Sequence, residues 1–254
     1  MAVQVDLRPD LQALRELTSR HRQLYNSPDI DGRMERLIRA VPFSPLSSWD
    51  VHRILRTAQC VFFDTHVQVV SGHHTGTYLR FESIARLPEL LTVIARGMAD
   101  WLSETYKDQP VAGIVTTMSD AQRLASRVVD LLRERMPLRL VLTPFDWQTG
   151  KISPDIEWGQ INPEERFVSM NDVTTRGMCV SKLGKVITDR GGILAGMIVF
   201  ARRDSGQFPL MDELTEQYPF YYSADLDMPQ WEPKDCPLCQ QQVPLLSWKD
   251  MPEL

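Results

Sequence analysis

RFVSMNDVTTRGMC, residues 166 to 179, passes from apolar to polar within a few positions. Phe167 to Met170 is a short apolar run. Asn171, Asp172, Val173, two threonines, Arg176 and Gly177 follow, and Leu183, Val186 and Ile187 then recur at near-helical spacing. Physically this reads as a buried parallel strand, a polar turn at its carboxyl end and a helix leading away. Such a turn presents hydroxyls, backbone N–H groups and a helix N-terminus to an anion, and its carboxylate can hold sugar hydroxyls or a metal. An ordinary strand-to-helix turn without a ligand has the same pattern.

Two further segments repeat the plan. Val111 to Val115 is followed by Thr116-Thr117-Met118-Ser119-Asp120, then by a helical stripe of Leu124, Ala125, Val128, Leu131 and Leu132. After Gly191-Gly192 comes the apolar run ILAGMIVFA, which ends in Arg202 and Arg203. These units predict an α/β fold, a twisted parallel sheet with helices on both faces. Ligands then belong at the carboxyl ends of the strands, where both polar turns fall.

The whole chain sets outer bounds. At 254 residues it can build one sizeable core with a small appendage, and 43% apolar and 24% charged residues describe a globular protein. A net charge of −5 gives no bulk case for binding nucleic acid or an anionic membrane, and Arg202-Arg203 reads equally as solvated face. The start MAVQVDLRPD is not built like a secretory leader, so a cytoplasmic location is expected. Four cysteines are too few for a disulfide framework.

Pro9 is placed to open a helix carrying Leu11, Leu14, Leu17, His21 and Leu24, with His21 on its flank. Met34, Leu37 and Ile38 suggest a second helix. After the linker VPFSPLSS, Ser47 and Asp50 form a capping box. Pro88 opens the longest helix. Residues 144 to 165 form a long polar connection with one lysine, Lys151, several acids, Trp147 and Trp158. The C-terminal segment holds a short helix, an edge strand near residues 219 to 222, and Cys236-Pro237-Leu238-Cys239. A single Cys-x-x-Cys is only half of a zinc site, so Cys236 and Cys239 are candidates for one half of it and zinc is not the expected metal.

The central stretch resembles the ribose-phosphate loop of type I phosphoribosyltransferases through Asp172, Val173, Thr175 and Gly177. Ser71, Gly72, Thr75 and Tyr78 are similar in kind to a segment of orotate phosphoribosyltransferases that lines the base pocket. Trp231, Pro233 and the Cys-Pro-x-Cys resemble the ending of an orotate-phosphoribosyltransferase-like subgroup. The resemblance spans about residues 48 to 245. It divides the chain into an N-terminal helical extension (1–46), a phosphoribosyltransferase-like domain (47–245) with a small hood at about 58–82, and a tail (246–254).

The resemblance implies Mg²⁺-dependent transfer of a phosphoribosyl group from phosphoribosyl diphosphate to a nitrogenous base. Asp172, aided by Asn171, would hold the ribose hydroxyls, with Mg²⁺ bound indirectly at Asp172, and Lys151 would act from a lid. Thr174, Thr175, Arg176, Gly177, Met178 and Cys179 would cradle the 5′-phosphate. Thr116, Thr117, Met118 and Ser119 would take pyrophosphate, and Ser71, His73, His74 and Tyr78 would face the base. A homodimer with the lid near its interface is implied as well. Three departures weaken the catalytic half of this reading: Asn171 stands where a first acid is usual, the first turn lacks glycine, and the lid is net acidic. A protein that binds a phosphoribosylated or sugar 5′-phosphate metabolite for regulation, or a hydrolase of nucleotides or phosphoribosyl diphosphate, would need the same cradle.

Overall fold

A computed structural model describes residues 10–203 and 209–253. Asp10 caps the first helix, α1 (Leu11–Tyr25), by accepting the Gln12 and Ala13 N–H groups; Pro9, the expected opener, lies outside the described residues. Then come α2 (Asp29–Leu37), β1 (Ile38–Arg39) and α3 (Ser48–Thr57), the last opened by the expected Ser47–Asp50 capping box. A group of two-residue strands follows: β2 (Val61–Phe62), β3 (Val67–Gln68), β4 (His74–Thr75) and β5 (Tyr78–Leu79). Next are α4 (Phe81–Ala85), α5 (Pro88–Thr105), β6 (Gly113–Thr117), α6 (Asp120–Leu132) and β7 (Arg139–Thr143). A hairpin of β8 (Phe145–Asp146) and β9 (Lys151–Ile152) leads to β10 (Arg166–Thr174), α7 (Met178–Thr188) and β11 (Ile193–Arg202). The chain closes with α8 (Pro209–Gln217), β12 (Phe220–Leu226), β13 (Gln230–Trp231), α9 (Pro237–Gln240) and β14 (Leu246–Ser247).

The main sheet has the order β1-β12-β11-β10-β6-β7, with every pairing parallel except β1 with β12. The two-residue period of the strands divides its faces. Val168, Met170, Ile198 and Phe200 point into the larger cluster with α3, α5 and α6. Phe167, Met197 and Val199 point the other way, onto the Val180, Leu183 and Ile187 side of α7. The α/β class with helices on both faces is therefore observed.

Several expectations change. β10 does not stop at Met170; it pairs with β11 as far as Thr174 opposite Arg202, because Val173 and Thr174 are β-branched and the facing strand is apolar. The strand expected at residues 219 to 222 is longer and lies inside the sheet, because β1 covers its outer side. The N-terminal helices are also built into the body. Ile30, Met34 and Leu37 lie in the main cluster, and the Tyr25 hydroxyl is 3.2 Å from both the N–H and the C=O of Val61. His21, expected on a flank, is buried, stacked on Tyr25 and in tilted ring contact with Phe62; burial lowers its pKa to about 4, which keeps the ring neutral.

A second sheet, β13-β4-β3-β14, places two strands from the region of residues 67–75 between two from the C-terminal segment. Leu246 of β14, in the segment read as a tail, pairs with Val67.

Candidate functional site

The carboxyl ends of β10 and β11 meet at the turn after Thr174, and the end of β6 lies beside Asn171. Thr174 Oγ1 accepts the Gly177 N–H at 3.1 Å, which closes the turn. Gly177 adopts φ +72°, the left-handed region where a side chain is strained, and it starts α7 with no side-chain cap. The N–H groups of the first helical turn are thus left without the side-chain acceptor that often satisfies them. Arg203 donates from Nε (3.0 Å) and Nη2 (2.9 Å) to Thr175 Oγ1, and Gln230 Nε2 lies 3.3 Å from the same oxygen. Arg203 is buried, which corrects its reading as solvated face: β11 runs on far enough to carry it under the turn. Burial lowers its pKa, opposed by the charges of Tyr78, Asp172 and Cys179.

Asp172 is half-buried, and its Oδ1 accepts the Val173 N–H at 2.7 Å. Burial, reinforced by the charge of Asp120 and opposed by that hydrogen bond and by Arg203, raises its carboxyl to about 6. Burial likewise pushes the Cys179 thiol up to about 11 and the Tyr78 phenol up to about 12. Asp172, Tyr78, Cys179, Thr175 and Arg203 therefore act on one another within a single electrostatic neighbourhood. Arg203 and Asp120 belong to it although neither carries a motif.

The first turn reaches the same place. Thr117 Oγ1 is 2.7 Å from Ser119 Oγ and 3.4 Å from Asn171 Oδ1, and Ser119 also accepts the Ala121 N–H as the cap of α6. Thr116 is buried with its hydroxyl unpaired among the described residues, whereas Met118 and Met178 are exposed beside the two turns. Asn171 also donates from Nδ2 to the Val173 carbonyl at 3.4 Å. Lys151 is not brought to this place. It is exposed in the β8–β9 hairpin, in register with Asp146, and among the described residues no hydrogen bond or ion pair joins it to Asp172. Arg176 is half-buried in the turn.

Of the four expected base-facing residues, Ser71 Oγ contacts His73 Nδ1 at 3.1 Å and His73 Nε2 pairs with Glu232 at 2.9 Å. His74 faces elsewhere. Its Nδ1 is 3.0 Å from His66 Nε2 and 3.3 Å from Cys239 Sγ, while Cys236 Sγ is 3.4 Å from His66 Nε2. The ligand atoms of His66, His74, Cys236 and Cys239 all lie within 4.8 Å of one another, a set able to hold a metal ion. This overturns the expectation that zinc is unlikely and Mg²⁺ the metal to look for. Neither Cys60 nor Cys179 completes the half-site; two histidines do, and His66 carried no signal in the sequence because it is brought there by strand pairing. Among the described residues the turn at Asp172 gathers no comparable ligand group.

No protein-family model matches the chain. It is 27% identical over 186 residues to the orotate phosphoribosyltransferase of Chlorobium phaeobacteroides (strain BS1), covering 71% of this chain and 84% of that protein. Identity to the orotate phosphoribosyltransferase of Thermus thermophilus is 25% over 189 residues, with 71% and 90% covered. Among solved structures, Mycobacterium tuberculosis H37Rv orotate phosphoribosyltransferase in complex with inorganic phosphate superposes with a TM-score of 0.50, at 14% identity, over 68% of this chain and 92% of that one. The fold is that of a type I phosphoribosyltransferase. Leishmania donovani UMP synthase gives a TM-score of 0.51 at 17% identity, and there the match spans 68% of this chain but only 35% of the longer one. Similarity to the orotate phosphoribosyltransferases is distant.

The chain is further bounded by its helices: among the described residues none is long and apolar enough to cross a membrane.

Proposed function

We propose that the chain binds a phosphoribosylated ligand, phosphoribosyl diphosphate or a related sugar 5′-phosphate, and transfers the phosphoribosyl group to a nitrogenous base. The observation that carries this reading is the convergence at the end of β10. The turn closed by Thr174 and Gly177 leads into α7 with no side-chain cap, and Asp172 and the Arg203-braced Thr175 stand beside it. Backbone N–H groups at such a helix start suit a phosphate. In this reading the Asp172 carboxylate accepts hydrogen bonds from the ribose hydroxyls and faces the positive charge that develops at the anomeric carbon. The hydroxyls of Thr117 and Ser119 offer donors for the leaving pyrophosphate.

A second reading, binding without turnover, is favoured by two features of the same site. Asn171 brings no charge where Asp172 would gain a partner, and Lys151 is held in register with Asp146 in its hairpin. Calorimetric titration with phosphoribosyl diphosphate and with ribose 5-phosphate, with and without Mg²⁺, tests the shared part. Saturable binding of both is expected, and the absence of either heat signal or competition between them would remove the proposal. Pyrophosphate release on adding a panel of bases then separates transfer from binding alone, and release without added base identifies hydrolysis.

A homodimer is part of this proposal. Trp147 and Trp158 are 52% and 68% exposed in the connection after β7, and large aromatics are favoured at interface centres. Sedimentation equilibrium at micromolar concentration is expected to give twice 29.2 kDa; a species of one chain would refute the dimer.

A further inference from the structure

We infer that His66, His74, Cys236 and Cys239 hold a structural Zn²⁺ that ties the C-terminal segment to the strands at residues 67–75 and, through them, to the turn at Thr175. The inference does not depend on the phosphoribosyl reading. Zinc bonds of ~2.0–2.1 Å to nitrogen and ~2.3 Å to sulfur, set tetrahedrally, give edges of roughly 3.3 Å between nitrogens and roughly 3.6 Å between nitrogen and sulfur. The N···N separation here is 3.0 Å, three of the four N···S separations are 3.4, 3.7 and 3.3 Å, and all four ligand atoms lie within 4.8 Å of one another. These separations lie close to the edges of such a tetrahedron.

The surroundings fit as well. His66 Nδ1 donates to the Val243 carbonyl at 2.8 Å, which fixes the tautomer that leaves Nε2 free for a metal. His66, His74 and Cys236 are buried and Cys239 is at the surface. Two thiolates and two neutral imidazoles balance the charge of Zn²⁺, so the closed site buries no net charge. Binding releases the two thiol protons to solvent. All four positions are filled by protein, the composition of a structural rather than a catalytic zinc site.

A tie is needed at this place. Each strand of the β13-β4-β3-β14 sheet is two residues long, far below the length at which strand pairing is stable alone. The apolar cluster beneath it is small, with Leu17, Phe62, Val67, Leu246 and Met251. The cysteines lie in the connection between β13 and β14, the two outer strands, while His74 lies in β4 and His66 directly precedes β3. One ion would therefore join all four strands. Thr75 Oγ1 sits 2.9 Å from the Pro229 carbonyl, and the next residue, Gln230, reaches Thr175. That path links the metal to the turn held by Arg203.

The test is the metal content of the full-length protein, purified without chelator. About one zinc per chain is expected by elemental analysis. Cys236→Ser and Cys239→Ser chains should lose it, and Cys60→Ala, which removes an unrelated thiol, should keep it. Protein grown with Co²⁺ should show tetrahedral d–d bands and thiolate-to-cobalt charge transfer, which the serine variants lack; this reads the site even if a variant folds poorly. Stripping the wild type with a chelator should lower its thermal midpoint by about 5–10 °C, restored by added Zn²⁺. Metal-free wild type with alkylatable thiols at 236 and 239, a disulfide between them, or zinc retained in the double serine variant would each overturn the site. Stoichiometric zinc whose removal leaves the midpoint unmoved would overturn its structural role.

Discussion

Replacing Gly177 with Ala is expected to cost about 2–4 kcal/mol of stability, from left-handed strain and overpacking together. At φ +72° an L side chain is strained whatever space it finds, and here it finds none: a Cβ would lie 2.5 Å from Leu214 Cδ1 and 3.1 Å from Met211 Sδ. The two causes are separable. Leu214→Ala removes the obstructing atoms but not the strain, so the double variant should be less than additive by about 1–2 kcal/mol in a denaturant-unfolding cycle. Full additivity would mean that α8 yields and only the backbone matters. The folded variant should also bind ribose 5-phosphate at least about tenfold more weakly, because the turn that aims the first N–H groups of α7 has moved. Unchanged affinity by calorimetry would remove the phosphate from residues 174–179.

The second large effect belongs to Asp172, whose substitution by Asn should stabilise the protein while disabling it. Burial raises this carboxyl from its ordinary 3.8 to about 6, so the folded state favours the protonated form. Between those two values the folded chain binds more protons than the unfolded one, and stability falls as pH rises through the window. Below about pH 4 both states are protonated and the variant should match the wild type. Above about pH 6 the whole penalty is present, and Asp172→Asn should be more stable by on the order of 1–3 kcal/mol. Urea unfolding at the two ends of the range checks the sign; a variant less stable at neutral pH would show that Arg203 outweighs burial. If phosphoribosyl transfer is the reaction, turnover should fall by about 10²–10³-fold, the scale for losing a charge aimed at the transition state. Stability given up at a half-buried acid is a common mark of a working site.

The expectations and the structure part at identifiable residues. Apolar runs bounded by polar turns announced the parallel sheet, since strands buried on both faces have to be continuously apolar. The same runs left their own ends open: β10 extends to Thr174 because its partner β11 is there to pair with, a fact no local pattern contains. Ser47 with Asp50 and Pro88 marked two helix starts correctly, because capping and proline act within one turn.

The candidate site divides in the same way. Asp172, Thr174, Thr175 and Gly177 lie close together along the chain, at the end of β10 and in the turn after it, so the sequence alone grouped them and pointed to an anion. Arg203, Gln230, Tyr78 and Asp120 come from four other elements, and their meeting depends on sheet order and on how far β11 runs. His74 shows the limit most clearly. Its neighbours in sequence suggested a base pocket, whereas pairing of β3, β4 and β13 turns it towards His66 and the two cysteines. What the sequence by itself determined is therefore the layered α/β class and the chemistry of single turns, because hydrophobic period, capping and turn residues act over a few positions. Only the tertiary structure decided which distant side chains share a site, since that is set by strand register and burial summed over the whole chain.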